Sequence, residues 1–286
     1  MEISQFTSFR NLKTLDLSSC RLTGIFPHKI FQDLYQHGFG KLDQQLNISH
    51  NMLSNLEGPE HNSSFTLKVL DLHSNQLQAK HPISPVNATY LDYSSNNLSS
   101  TIPSDVGTNL FSIVLLSLSK NNLSGSIPQS LCNKPTLLVL DVSHNHFNGT
   151  IPECLTQNKF HGNIPVTFSA SCALRTLDVN ENLLEGPVPN SLANWTSLEA
   201  LNLGNNHLNG GFPCFLKKLS RLHVMVLKGN QFHGPIACPH TKNTWHKLQI
   251  IDLALNNFSG LLPGKWFKTF VAMIFDEVQD YQSQIT

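Results

Sequence analysis

The segment LEALNLGNNHLNGGFP, residues 198–213, carries the pattern that decides the fold. Its first half follows the template LxxLxLxxNxL, and its second half contains glycine and ends in proline. The same template recurs along the chain, at steps of about 24 residues where it is intact. The other copies are LKVLDLHSNQL from Leu67, ATYLDYSSNNL from Ala88, IVLLSLSKNNL from Ile113, LLVLDVSHNHF from Leu137, LRTLDVNENLL from Leu174, LHVMVLKGNQF from Leu222 and LQIIDLALNNF from Leu248, with weaker ones from Leu12 and Leu46. A fixed period of this length indicates a solenoid.

The LxLxx core of each repeat predicts a short β-strand. Alternation places Leu201 and Leu203 on one face and Asn202 on the other. One coil alone cannot bury its leucines, so stacked coils share a core. We therefore predict an α/β-type solenoid, a curved right-handed superhelix with a parallel concave sheet and few helices. Strands are expected near Leu15, Ile48, Leu72, Tyr93, Leu118, Val142, Val179, Leu203, Leu227 and Leu253.

The template asparagine predicts a structural ladder. Its amide and carbonyl can bond buried backbone groups of its own coil and the next, and each such group left unpaired would cost roughly 1–3 kcal/mol. The ladder comprises Asn51, Asn75, Asn96, Asn121, Asn145, Asn182, Asn206, Asn230 and Asn256, while Cys20 takes this position in the first copy.

A second motif follows the asparagine: LSGSIP from Leu123, FNGTIP from Phe147, LEGPVP from Leu184, LNGGFP from Leu208 and FSGLLP from Phe258. Glycine permits the turn, and proline suits an extended step on the convex side. This LxGxIP form resembles the plant-specific class of leucine-rich repeats, found in receptor-like kinases, receptor-like proteins and polygalacturonase-inhibiting proteins.

Several longer stretches are similar to the receptor-like proteins related to Verticillium wilt resistance proteins. They include LSSCRLTGIFPHKIFQ from Leu17, SLANWTSLEALNLGNN from Ser191 and LQIIDLALNNFSGLLP from Leu248. The resemblance implies a glycosylated ectodomain of a cell-surface defence receptor. Such a receptor perceives a peptide, protein or glycan elicitor outside the plasma membrane and signals through co-receptor kinases.

The predicted domain boundaries are leucine-rich repeats over residues 1–264, about 11 coils, and the start of a non-repeat island segment over 265–286. One coil near 153–165 is shortened, because NKFHGNIP lacks its strand, and one near 32–53 is irregular. The shortened coil is expected to weaken the solenoid. The family's signal peptide, caps and membrane anchor are not recognisable, so we expect an internal segment.

Composition and charge exclude several classes of function. Charged residues make up 13% of the chain and the formal net charge is zero, so no charge run predicts nucleic acid or membrane-surface binding. The longest apolar run, Phe270 to Phe275, is too short to span a bilayer. No motif for catalysis, a cofactor or a metal site is present, so we predict a binding protein and no enzyme.

Recognition is expected at the outward positions of the concave strands, although the aspartate there can equally be a consensus residue on a solvated strand. These candidates are Asp71, His73, Tyr90, Asp92, Ser117, Lys120, Asp141, His144, Asp178, Asn180, Glu181, Asn202, Asn205 and Lys228. Glycan acceptor sequons occur at Asn47, Asn62, Asn87, Asn97, Asn122, Asn148, Asn194 and Asn257.

The cysteine spacing predicts one disulfide in particular. Cys214 and Cys238 stand at the same coil position one coil apart, within reach of each other. A Cys132–Cys154 pair is weaker, and the states of Cys20 and Cys172 stay open.

Two other functions remain as alternatives to a receptor. One is an apoplastic inhibitor similar to polygalacturonase-inhibiting proteins, which requires cysteine-bearing caps. The other is a truncated gene product without function.

Overall fold

The computed structural model describes residues 13–27, 45–56, 67–78, 88–104, 106–132, 134–152, 173–238, 245–262 and 270–274. The chain forms two compact units, unit 1 from Met1 to Phe147 and unit 2 from Asn148 to Thr286. Each is a stack of coils with one strand per coil in a parallel main sheet.

The main sheet of unit 1 contains six strands. They are β1 (Thr14–Asp16), β3 (Gln45–Asn47), β5 (Val69–Asp71), β6 (Tyr90–Asp92), β7 (Leu115–Ser117) and β9 (Val139–Asp141), all paired in parallel in this order. Further along each turn, a second set of parallel pairs joins β2 (Thr23–Phe26) to β4 (Met52–Leu56) and β8 (Ser124–Gly125) to β10 (His146–Gly149).

Unit 2 repeats this arrangement. Its main sheet contains β11 (Thr176–Asp178), β13 (Ala200–Asn202), β15 (Val224–Val226) and β17 (Ile250–Asp252). Its second parallel set contains β12 (Leu183–Pro187), β14 (His207–Gly210), β16 (Gln231–Pro235) and β18 (Asn257–Ser259). The predicted parallel solenoid is confirmed.

The strands follow the predicted alternation but lie earlier than expected. Leu70 and Leu72 are fully buried, and Asp71 between them faces outward and is half-buried. The sequence placed most strand centres at the second template leucine, whereas the strands end at the preceding residue. The reason is that Oδ1 of Asp71 accepts the N–H of His73 and bends the chain after three residues.

The asparagine ladder forms in both units, with one correction to its direction. Nδ2 of Asn75 donates to Leu72 O in its own coil at 3.1 Å, and to Ile48 O at 3.0 Å. Its Oδ1 accepts the N–H of Leu53 at 3.1 Å. Ile48 and Leu53 belong to the preceding coil, although we expected the next one. The backbone N–H of Asn75 already points to the next coil, so the side chain serves the other side.

The residue before each ladder asparagine adopts a left-handed backbone, which the sequence did not reveal. The φ angles there range from 49° at Asn205 to 55° at Ser74 and Ser95, with Gly229 at 66°. This conformation turns the chain sharply out of the strand and aims the asparagine into the interior. Only one of these positions is glycine, so no glycine signature marks the turn in the sequence.

Helix is scarce, as predicted. The described helical segments are turns of four or five residues: Val106–Asn109, Gln129–Cys132, Asn190–Asn194, Cys214–Lys218 and Val271–Ile274. Three of them, Gln129–Cys132, Asn190–Asn194 and Cys214–Lys218, follow strands of the second set and bury Leu131, Leu192 and Leu216, respectively. No helix of the described part of the chain is long and apolar enough to cross a membrane.

The disulfide predicted from the 24-residue spacing is present. Cys214 and Cys238 are bonded, with their Cα atoms 5.4 Å apart. Cys20 is a free, exposed cysteine. The two side chains of the predicted Cys132–Cys154 pair lie outside the described residues. Cys172 also lies outside them.

Several other predictions also fall outside the described residues. They concern the shortened coil near 153–165, most of the irregular coil near 32–53, and most of the island segment. Within that last segment, Phe270 is buried and its ring stacks on Trp245 at 6.2 Å. At least this residue packs on the repeats.

Candidate binding surface of the main sheet

The outward positions of the unit 1 strands form two parallel rows. Strand register aligns the last residue of each strand, which gives an acidic row of Asp16, Asn47, Asp71, Asp92, Ser117 and Asp141. The first residues of four strands align in an apolar row of Val69, Tyr90, Leu115 and Val139, all half-buried. The sequence singled out the aspartates and Tyr90 but missed Val69, Leu115 and Val139, because these aliphatic residues look like core residues.

The aspartates of the acidic row have a structural role in addition to their charge. One side-chain oxygen of Asp71, Asp92 and Asp141 accepts the N–H two residues later, at 2.9–3.1 Å. Asn47 makes the same contact to Ser49. At Asp16, the backbone and side-chain hydrogen bonds of Ser18 lower the pKa of the carboxyl. An asparagine therefore preserves the turn, whereas only an aspartate supplies a negative charge.

Two histidines from neighbouring coils meet beside this row. The Nε2 atoms of His50 and His73 lie 2.8 Å apart. Nδ1 of His73 lies 2.7 Å from Oδ1 of Asp71. One ligand atom each of Asp71, His73 and Asp92 lies within 4.8 Å of the others, so these three residues can hold a metal ion. Sequence motifs did not predict this group, because Asp92 lies one coil away from Asp71 and His73.

Tyr90 lies next to the same cluster. Its hydroxyl donates to Oδ2 of Asp92 at 3.3 Å. Burial raises the pKa of Tyr90 to about 12, and the charges of Asp92 and Asp71 contribute to the shift. The tyrosine therefore stays neutral and acts as a hydrogen-bond donor at ordinary pH.

Two further candidates in unit 1, Lys120 and His144, occupy equivalent positions in neighbouring coils. Both lie directly before the ladder asparagine, with φ angles of 53° and 52°. Lys120 is exposed and His144 is half-buried. Asp141 is held by both the N–H and the hydroxyl of Ser143, the latter at 2.7 Å.

The candidates in unit 2 form mainly an amide network. Asn202 donates to Oδ2 of Asp178 at 3.1 Å, and Asn205 donates to Oδ1 of Asn180 at 3.2 Å. A Cβ at Gly204 would lie 2.8 Å from that same oxygen of Asn180, so the Asn180 side chain would have to shift. Glu181 is exposed and Lys228 is half-buried at the edge of this network.

The predicted glycan acceptors in the described residues are exposed, with one exception. Asn97, Asn122, Asn148, Asn194 and Asn257 all have exposed side chains. Asn47 is half-buried, and its Oδ1 is engaged by the N–H of Ser49. Asn62 and Asn87 lie outside the described residues.

Comparison with protein families identifies the repeat. The model described as Leucine Rich Repeat matches residues 11–32, 112–134, 136–158, 173–195 and 197–219. Receptor-like protein 54 of Arabidopsis thaliana is 33% identical over 307 aligned positions, and receptor-like protein 35 is 33% identical over 293. The alignments cover 96% and 93% of this chain but 35% and 29% of those proteins. The chain thus spans about a third of the length of these relatives.

Solved structures show the same fold. The Arabidopsis receptor kinase HAESA, crystallised with the peptide hormone IDA and the co-receptor SERK1, aligns with a TM-score of 0.65 at 24% identity, over 93% of this chain and 45% of that one. PEPR1 in its structure with AtPEP1 aligns with a TM-score of 0.56 at 26% identity, over 93% and 45%. The repeat matches, the asparagine ladder and the LxGxIP turns show that the chain is a leucine-rich-repeat protein of the plant type, similar in sequence to receptor-like proteins.

Proposed function

We propose that the outward face of the unit 1 main sheet binds an extended peptide or a peptide segment of a protein ligand. The observation that carries this proposal is the alignment of the acidic row beside the apolar row. A surface with an aliphatic stripe next to a line of carboxylates favours a ligand that carries both aliphatic and cationic side chains. The proposed role is non-catalytic.

The spacing of the rows suits such a ligand. Neighbouring parallel strands lie about 4.8 Å apart, and an extended peptide advances about 3.3 Å per residue. A peptide that crosses the strands therefore passes two coils in about three residues. Its side chains alternate in direction, so aliphatic groups can reach Leu115 and Val139 while cationic groups reach Asp92 and Asp141.

The aspartates of the acidic row can contribute a charge to recognition while they also stabilise the turns of the fold. One oxygen of Asp92 and of Asp141 secures the turn, so the other can face a ligand. In Asp92 that other oxygen also accepts the hydroxyl of Tyr90 and keeps a second lone pair for a ligand. Pairing at a partly exposed site contributes modestly, about 0.2–1 kcal/mol per ion pair, so the aliphatic contacts must supply most of the affinity. Selectivity for a basic residue then comes from the carboxylates.

The related proteins support the biological setting that we propose. HAESA was crystallised with a peptide hormone and a co-receptor, and the chain resembles receptor-like proteins. We infer that the intact protein is an extracellular plant receptor with a role in defence, which recruits co-receptor kinases. An elicitor peptide is the ligand class that fits this setting and the two rows.

A displayed library of random linear peptides, panned against the full chain in EDTA, tests the proposal. We expect enrichment of peptides that combine basic and aliphatic residues. Asp92→Asn keeps the turn and removes the charge, so it should weaken binding of enriched peptides by up to about fivefold. Leu115→Asp disrupts the apolar row, so it should weaken binding at least tenfold. Glu185→Gln, an exposed acid on β12 in unit 2, is the matched control.

Two results would contradict this proposal. One is enrichment of peptides without basic residues, and the other is equal loss of binding in the Glu185→Gln control. The EDTA in the panning buffer keeps metal ions out of the result.

A further inference from the structure

The contact between His50 and His73 is fixed by the backbone beneath it. The N–H of His50 donates to the carbonyl of His73 at 2.9 Å, which joins the two coils at this point. The two rings meet edge to face, with centroids 4.3 Å apart and an interplanar angle of 80°. The Nε2 atoms therefore face each other at 2.8 Å.

Asp71 sets the orientation of the second ring. Because Oδ1 of Asp71 lies 2.7 Å from Nδ1 of His73, that nitrogen carries a proton and donates it to the carboxylate. In the neutral ring, the lone pair is then on Nε2, which faces His50. A carboxylate behind a histidine in this way is the arrangement that holds metal-binding imidazoles in proteins.

We propose that Nε2 of His50 and Nε2 of His73 bind a divalent transition-metal ion such as Zn²⁺, with Asp71 as a positioning residue. Two nitrogens at 2.0–2.1 Å from a tetrahedral ion are about 3.3 Å apart. The two Nε2 atoms therefore need to separate by about 0.5 Å, and the rings turn so that both lone pairs point at the ion. His50 is exposed, so this adjustment meets no packed neighbour, and water completes the coordination.

The donor set determines the class of metal. Two imidazole nitrogens favour Zn²⁺, Cu²⁺ or Ni²⁺ over Ca²⁺ and Mg²⁺, which take oxygen ligands. The equivalent pairs in other described coils are Ser19 with Ser49, Ser74 with Ser94, Ser95 with Ser119, Lys120 with Ser143, Glu181 with Gly204, Asn205 with Lys228, and Gly229 with Ala254. None of these pairs offers two imidazoles, so the site is particular to the coils of His50 and His73.

Titration of Zn²⁺ into the metal-free full chain, against a competing chelating dye, tests the proposal. We expect one binding site that weakens at least tenfold in His50→Gln and in His73→Gln, and that is unchanged in His207→Gln, an exposed histidine on β14. Asp71→Asn should weaken binding about tenfold while leaving the number of ligands unchanged. With Co²⁺ in place of Zn²⁺, the visible absorption band reports that ligand number.

The urea midpoint of each variant without metal separates a folding defect from a binding defect. Equal affinity in the wild type and both glutamine variants would overturn the proposal, as would the absence of binding at about 100 μM Zn²⁺. Loss of binding in the His207→Gln control alone would place the ion elsewhere and would also overturn it.

Discussion

Removal of one ladder asparagine tests whether these side chains hold neighbouring coils together. Asn206 in unit 2 is 5% exposed. Its Oδ1 accepts the N–H of Leu184 at 3.0 Å, and Nδ2 donates to the carbonyls of Val179, Leu203 and Gly204 at 3.0, 3.3 and 2.8 Å. Asn206→Ala removes all four contacts and adds no bulk.

The four contacts are not equally costly to lose. After the substitution, the carbonyl of Val179 still accepts from Asn182, that of Leu203 from Asn230, and that of Gly204 from the N–H of Glu181. The N–H of Leu184, by contrast, loses the partner that Asn206 provides. One buried donor left unpaired costs about 1–3 kcal/mol, and the weakened carbonyls add about 1 kcal/mol, so we expect a loss of about 2–4 kcal/mol.

Equilibrium urea unfolding followed by circular dichroism measures this loss, and amide hydrogen exchange locates it at Leu184. Asn209→Ala, an exposed asparagine on β14, is the control and should change the free energy of unfolding by less than about 0.5 kcal/mol. Asn206→Asp keeps the acceptor for Leu184 but buries a carboxylate against three carbonyl oxygens, so it should be at least as destabilising as alanine. If Asn206→Ala and Asn209→Ala had equal effects, the ladder would not contribute as argued.

Four further outcomes are expected. Leu255 has a φ of 54° and is 73% exposed, so Leu255→Gly should raise the free energy of unfolding by about 1 kcal/mol in urea denaturation. Cys238→Ser opens the 24-residue link and should lower it by about 3 kcal/mol in the same assay, a loss that reduction of the wild type must reproduce. Because burial raises the pKa of Tyr90 to about 12, the unfolded chain loses the phenolic proton first, so stability should fall as the pH rises from 10 to about 12, and less in Tyr90→Phe. Glycopeptide mapping of protein secreted from plant cells should find sugar at Asn122 and none at Asn47, whose side chain is engaged in a turn.

The sequence alone determined the repeating part of the structure. The period, the inward leucines such as Leu70 and Leu72, the ladder asparagines and the Cys214–Cys238 disulfide all follow from spacing. Spacing is sufficient because residues one period apart occupy equivalent places in adjacent coils. The same spacing named the outward aspartates, but it could not show that each also secures a turn.

Only the tertiary structure decided which residues at different positions of the repeat template contact each other across neighbouring coils. His50 stands one residue before its ladder asparagine, whereas His73 stands two residues before Asn75, so alignment of the repeats places them in different rows. The hydrogen bond from the N–H of His50 to the carbonyl of His73 brings them together. The direction of the backbone N–H groups also explains why the ladder asparagines bond the preceding coil. The backbone N–H groups donate to the next coil, so the side-chain amides bond the carbonyls of the preceding one.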